Sequence, residues 1–229
     1  MLLNHGRFNE KARGQQLKQE EIRARRGVVF DRRGRELAVN LELESLYVDP
    51  LEVESPKESA SRVSALTGRP EKAVLSKFSG NGRFVWVERK IDPAVVQKVR
   101  EAKISGVGFV PDAKRYYPKG DLAAHLLGFV DVDNRGMEGV ELRYNDQLRG
   151  QGGTVVFTRD ARGRKLSKGV EMESKGRNVL LTIDEGLQYM IEAELEQAVK
   201  QWRATAATVI MMDPSNGDIL ALANRPSYN

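Results

Sequence analysis

Apolar positions along this chain change period repeatedly, and the changes mark out its elements. Val28 to Phe30 predicts a short strand, followed by a charged turn that ends at Gly34. In the next strand Leu37, Val39, Leu41 and Leu43 alternate with Glu36, Asn40, Glu42 and Glu44, the pattern of a sheet with one buried face. Asp49-Pro50 ends it. Residues 56–79 predict two short helices broken at Thr67-Gly68, with Pro70 near the start of the second. In a strand from Arg83 to Arg89, Phe84 and Trp86 face away from Val85 and Val87. Asp92 caps a further helix with Pro93 in its first turn; Val95, Val96 and Val99 lie on it, and it ends before Gly106. Val107 to Val110 again reads as strand.

The stretch Arg115 to Gly153 is the densest in signals. An aromatic-proline-glycine turn (Tyr117, Pro118, Gly120) precedes an apolar run from Leu122 to Val130 that holds His125. A tight acidic loop, Asp131 to Gly136, follows. Met137, Val140, Tyr144 and Leu148 then predict one amphipathic helix, with Glu138 and Glu141 neighbours on it, stopped by Gly150, Gly152 and Gly153. Thr154 to Thr158 alternates as a strand, and residues 159–176 suit a charged ribbon or linker.

From Asn178 the pattern shifts once more. An apolar strand to Ile183 leads through a Thr182/Glu185 capping box into a helix reaching about Trp202, with Leu187, Ile191, Leu195, Ala198 and Trp202 on one face. Thr208 to Met212 and Ile219 to Ala223 flank Asp213-Pro214-Ser215-Asn216-Gly217, an Asn-Gly hairpin signal. Residues 4–25 are polar, with Phe8, Ala12, Leu17, Ile22 and Ala24 as apolar exceptions. They read either as a weak helix needing a partner surface or a membrane-proximal position, or as an ordinary solvated leader.

Composition narrows the chemistry. The 229 residues contain no cysteine, so disulfides and thiolate metal sites are excluded. The 37 basic residues against 32 acidic ones leave a formal charge of +5. Because the two signs alternate along nearly every segment, no basic field of the kind that binds nucleic acid is implied. No apolar run approaches the roughly 20 residues that span a bilayer. The loop Asp131 to Gly136 departs from a calcium loop, since Arg135 stands where an oxygen ligand is needed and the closing position falls on Leu142. His5 and His125 lack zinc-site partners. No metal or cofactor is expected.

Three blocks carry a family resemblance: RGVVFDRRG (Arg26, Gly27, Asp31, Arg32, Gly34), RYYPKG (Arg115, Tyr117, Pro118, Gly120) and GMEGVE (Gly136, Glu138, Gly139, Glu141). They resemble the three motifs of the non-catalytic module of class B penicillin-binding proteins. LTIDEGLQ (Leu181 to Gln188) and MDPSNGDILALANRPSYN (Met212 to Asn229) are similar to the opening of that family's transpeptidase domain. SLYVDP and the first two blocks look most like the cell-division subgroup, with an elongation-type protein as the alternative. A basic nucleic-acid module is the remaining, disfavoured reading. Arg33 stands where the family usually has Asn or Ser, in a turn expected to be exposed.

The resemblance implies an α+β fold. Residues 1–25 would be a membrane-proximal helix or leader. Residues 26–176 would form an elongated pedestal of antiparallel strands, with a small α+β head lobe at about 50–110 serving docking or spacing. Residues 177–229 would be the first strand, helix and hairpin of a truncated transpeptidase domain. It also implies an anchor before Met1 in the bacterial inner membrane, an extracytoplasmic location, and contacts to divisome proteins, a SEDS-family glycan polymerase and the chain's own transpeptidase domain. The parent would be a serine-type peptidoglycan D,D-transpeptidase. This chain contains no S-x-x-K, in which lysine activates the nucleophile, and Ser227-Tyr228-Asn229 matches S-x-N in letters only; it is expected to be inactive. The charges within the three blocks are expected to form an ion-pair network, with Arg26, Arg32 or Arg115 paired to Glu138 or Glu141.

Strands whose partners lie in a later part of a sheet present open edges, and open edges recruit other chains. Thr208 to Ala223 should therefore drive concentration-dependent self-association, seen as a rising mass in light scattering, that weakens when the chain is ended near Lys175. A monomer at high concentration with the tail present would count against it.

Overall fold

The computed structural model describes residues 24–80, 82–150 and 175–228, together with the backbone of 17–22, 153–159 and 165–171. They fall into two compact units, one of the chain up to Val39 and from Tyr117 onward, the other Asn40–Tyr116. The fold class is α+β.

In the first unit, Leu17–Ile22 is a strand, β1. The helix expected over residues 4–25 is thus replaced where the chain is described, and the positions up to 16 lie outside the described residues. The residues of this stretch have no strong apolar stripe, so backbone pairing decides their state. Val29–Phe30 (β2) pairs antiparallel with the start of Glu36–Val48 (β3). The expected alternation fails in β3. Leu37 and Ala38, successive residues, are both buried, and Leu41 is 41% exposed. The register of the β2–β3 pair shifts between Val29 and Phe30, and such an irregularity turns successive side chains out of strict alternation.

The second unit contains the rest of β3. Asp49 caps a 3-10 turn over Pro50–Glu52. Helices α1 (Pro56–Thr67) and α2 (Glu71–Phe78) follow, then β4 (Val85–Ile91), α3 (Pro93–Glu101) and β5 (Val107–Tyr116). Gly68 takes the left-handed conformation that closes α1, and Asp92 accepts from Ala94 N as the cap of α3. The strands β4 and β5 both pair with β3. Leu46, Val48, Val63, Val74, Phe78, Val87, Ile91, Val96 and Val99 make one core between strands and helices. Phe84 and Trp86 remain exposed. There Tyr47 stacks on Phe84 at 4.6 Å and Phe84 meets Trp86 edge-on at 4.7 Å.

Back in the first unit, the helix expected from Met137 to Leu148 is two short ones. After α4 (Ala124–Leu127) come α5 (Gly139–Arg143) and α6 (Asn145–Arg149), with the break at Tyr144. Val140 and Leu148 are buried as the spacing requires, while Met137 and Tyr144 face solvent. The break frees Asn145 to bond backwards, its Oδ1 accepting from Gly136 N at 2.9 Å. Gly153–Arg159 (β6) and Lys165–Glu171 (β7) form an antiparallel ribbon whose other neighbour is β1. Val179–Leu180 (β8) lies parallel to β2. The long helix α7 is Glu185–Trp202, and Ala207–Met212 (β9) and Ile219–Arg225 (β10) form the hairpin. Asp184 caps α7, accepting from Gly186 N and Leu187 N. The Thr182 hydroxyl donates instead to Ile219 O, so the expected capping box does not form. Two cores result: Val29, Leu37, Ala38, Ala123, Leu127, Val140 and Leu148 in one, and Ile191, Leu195, Ala221 and Ala223 in the other.

Phe78 is fully buried, whereas Leu51 is largely exposed. Phe78→Ala should cost about 3–5 kcal/mol in urea unfolding of the second unit, and Leu51→Ala within about 0.5 kcal/mol.

Candidate functional site

A guanidinium carries five N–H donors in a planar fork, and burying it is tolerable only when they are met. Arg26 is 4% exposed and Glu141 is fully buried. Arg26 Nε donates to Glu141 Oε2 at 2.8 Å, and Nη2 lies 2.6 Å from the same oxygen. Nη2 also donates to Glu141 O at 3.0 Å. Nη1 donates to Asn134 O and to Asn145 Oδ1, both at 3.0 Å. Every donor therefore has an acceptor, and one side chain ties together the first block, the 131–136 loop and both α5 and α6.

Backbone fit holds Arg26 in place. Gly27 N donates to Leu148 O, Gly176 N donates to Arg25 O, and Val28 N donates to Asn178 Oδ1. A Cβ on Gly27 would overlap Arg177 O, and one on Gly136 would overlap Glu141 O. Only glycine permits these approaches.

Two turns of one design flank this pair. Asp31 Oδ1 accepts from Arg33 N and Arg35 N, Asp31 N donates to Arg35 O, and Gly34 N donates to Asp31 O. In the second turn Asp131 Oδ1 accepts from Asp133 N and Arg135 N, Asp131 N donates to Arg135 O, and Asn134 N donates to Asp131 O. The fourth residue of each, Gly34 and Asn134, is left-handed, as Gly and Asn tolerate best. The acidic loop is thus a backbone-binding turn. Asp31 is fully buried, and its Oδ2 accepts from Glu185 N at 3.3 Å, which ties the first block to the start of α7.

More contacts converge there. Arg33 Nη2 lies 2.8 Å from Asp184 Oδ2 and Lys119 Nζ 2.9 Å from Glu185 Oε1. Arg33 is exposed as expected, yet it engages the helix cap. Burial opposes the ionised form of Asp184, but the N–H groups of Leu187 and Gly186, with the charges of Arg33 and Arg35, hold its carboxyl below the usual range. Further along α7, Gln188 uses its amide like a strand. Its Nε2 donates to Leu222 O at 2.7 Å and its Oε1 accepts from Leu222 N at 2.8 Å. Glu192 Oε1 accepts from Gln188 Nε2 and from Ala123 N, both at 2.7 Å, and its Oε2 lies 3.5 Å from Arg225 Nη2.

The sequence blocks are thus distributed unevenly. The first and third meet through Arg26 and Glu141. Arg32 N donates to Ile183 O, and the Arg32 charge acts on Asp213. Arg115 belongs to the second unit, where Nη1 donates to Asn40 Oδ1 at 3.1 Å. Tyr117 packs on the first unit's core, and Gly120 N closes the turn onto Tyr117 O. Pro118 borders a shallow depression with Arg35, Glu36, Lys119 and Glu185. Glu138 accepts from the Tyr228 hydroxyl at 2.9 Å. His125 is exposed although it lies within the apolar run from Leu122 to Val130, because the single turn of α4 points it outward. Gln188, Glu192 and Arg225 were missed by the apolar pattern; a Gln and a Glu four residues apart beside the apolar face of α7 were the available signal. Among the described residues, no cluster suited to metal binding occurs and no helix is long and apolar enough to cross a membrane.

Removing one partner of a buried pair strands the other. Arg26→Met and Glu141→Leu should each destabilise by roughly 3–5 kcal/mol in denaturant unfolding, and the double variant should recover part of that loss. Strict additivity would mean that the two side chains contribute separately.

The family described as "Penicillin-binding Protein dimerisation domain" matches residues 21–181. The chain is 36% identical over 217 residues to the probable peptidoglycan D,D-transpeptidase PenA of Neisseria meningitidis serogroup A / serotype 4A, covering 92% of this chain and 37% of the relative. It is 33% identical over 221 residues to the peptidoglycan D,D-transpeptidase FtsI of Escherichia coli K12, covering 93% and 38%. In fold it is similar to a chain of the complex between Penicillin-Binding Protein (PBP2) and MreC from Helicobacter pylori, with a TM-score of 0.73 and 24% identity over 93% of this chain and 44% of that one. The chain thus spans less than two fifths of the length of these curated relatives. By sequence over most of its length, and by fold, it belongs to the class B penicillin-binding proteins and carries their dimerisation domain.

Proposed function

We propose that this chain is the non-catalytic pedestal of a peptidoglycan D,D-transpeptidase, and that it positions the catalytic domain for septal wall synthesis. The observation that carries this reading is the buried Arg26–Glu141 pair. It fixes the first and third blocks to each other beside the turn that engages the start of α7. On this reading Arg26 to Gly34 and Gly136 to Glu141 set the angle at which residues 177–229 leave the pedestal. The protein then works at the extracytoplasmic face of the inner membrane, held by an anchor. A division role is favoured by the likeness to FtsI.

Docking of partner proteins, among them divisome components and a SEDS-family polymerase, is part of the proposal. The fold neighbour was solved in complex with MreC, and the exposed Phe84 and Trp86 in the second unit offer the aromatic anchors that interfaces favour.

The test is complementation in cells depleted of the full-length protein. Wild type should restore septation and acylate with a fluorescent penicillin, while the 229-residue chain alone should not label. Arg26→Met should lower labelling and leave cells filamentous. Rounded rather than filamentous depleted cells would assign the protein to elongation. Labelling of the isolated chain would overturn the pedestal reading.

A further inference from the structure

The last residue of β10 and the residues after it are held by two sets of contacts. One belongs to α7: Arg225 Nε donates to Glu196 Oε2 at 2.8 Å and Nη2 to Glu192 O at 3.3 Å. The other comes from the segment 124–138. His125 Nε2 lies 3.0 Å from Pro226 O. A carbonyl only accepts, so this nitrogen carries the proton. The His125 ring stands edge-on to Tyr228 at 4.6 Å, and Phe129 does the same at 6.3 Å. The Tyr228 hydroxyl is 2.9 Å from Glu138 Oε2 and 3.1 Å from Ala124 O. Its single proton goes to the carboxylate, the stronger acceptor.

Building on the pedestal reading above, we propose that Glu138 and His125 are positioning residues for transpeptidation, clamping Tyr228 and Pro226 so that the third block aims the chain after β10. Glu138 immediately precedes α5, and α5 carries Glu141, which Arg26 immobilises. A shift of the Arg26–Glu141 pair therefore moves Glu138, and with it Tyr228. The clamp is not needed to fill a core, because Glu138, His125 and Phe129 are exposed. Its bonds are directional and replaceable. Burial first, then the Glu138 hydrogen bond and charge, push the Tyr228 phenol up to about 12, so it remains a donor throughout the physiological range.

The test pairs two readouts. In the 229-residue chain, hydrogen–deuterium exchange across residues 219–228 should quicken about three- to tenfold in Tyr228→Phe and Glu138→Ala, the size expected for one lost hydrogen bond. Glu138→Gln keeps an acceptor and His125→Gln keeps an N–H donor, so both should stay near wild type, whereas His125→Leu should not. In the full-length enzyme, the rate of acylation by fluorescent penicillin should fall by a similar factor in Tyr228→Phe and Glu138→Ala and be restored in Glu138→Gln. Unchanged exchange would overturn the clamp. Faster exchange with unchanged acylation would overturn the positioning role and leave a local structural contact. A wild-type enzyme that does not acylate would overturn the pedestal reading, and the exchange result would still decide whether the clamp exists.

Discussion

The first unit depends on one requirement: a buried guanidinium must find acceptors for all five of its N–H donors. Arg26 finds them on Glu141, Asn134 and Asn145, and each partner needs a particular backbone path. Asn134 offers its carbonyl because the 131–135 turn is closed by Asp131. Asn145 is available because the helix breaks at Tyr144. Glu141 can approach because Gly136 has no side chain. A change in any of these leaves a charged donor in a poorly solvating interior, which costs more than the lost contact itself. Gly27, Gly136 and the 131–135 turn are therefore conditions for one ion pair.

The same economy appears at α7. Its N-terminal half is fixed by polar groups: Asp184 and Asp31 on helix N–H groups, Gln188 on both backbone atoms of Leu222, and Glu192 on Ala123 N. The apolar contacts of Ile191 and Leu195 with Ala221 and Ala223 supply attraction without direction. The amide and carboxylate contacts supply direction, so helix, hairpin and the α4 region keep one register.

Much of this was legible in the sequence, and the misses have physical causes. Asp92, Gly68 and the Asp213–Gly217 turn act as their residue types demand, because capping and turn chemistry are local. Leu41 was misread because a register shift in the sheet is not written in residue types. The single helix expected across Met137 to Leu148 was misread because its spacing is correct, while the demand of Arg26 for the Asn145 side chain comes from 119 residues away. Gln188 and Glu192 look like a solvated face until Leu222 and Ala123 are known to lie beside them. The blocks themselves were visible as charges set among glycines; which charge meets which was not.

A polar joint is a poor choice for stability alone. Packed hydrophobic residues often equal or exceed a buried ion pair. An apolar contact, however, tolerates small slides and rotations, since its energy varies slowly with displacement. Hydrogen bonds from a planar guanidinium do not, because each weakens steeply off axis. Glu138 and Glu141, three residues apart on either side of the start of α5, face different partners, Tyr228 and Arg26. Fixing Arg26 thus fixes the residue that holds Tyr228, and the tolerance of the whole linkage is that of its hydrogen bonds rather than of its packing. A joint that must transmit a position, rather than merely hold, is better built this way.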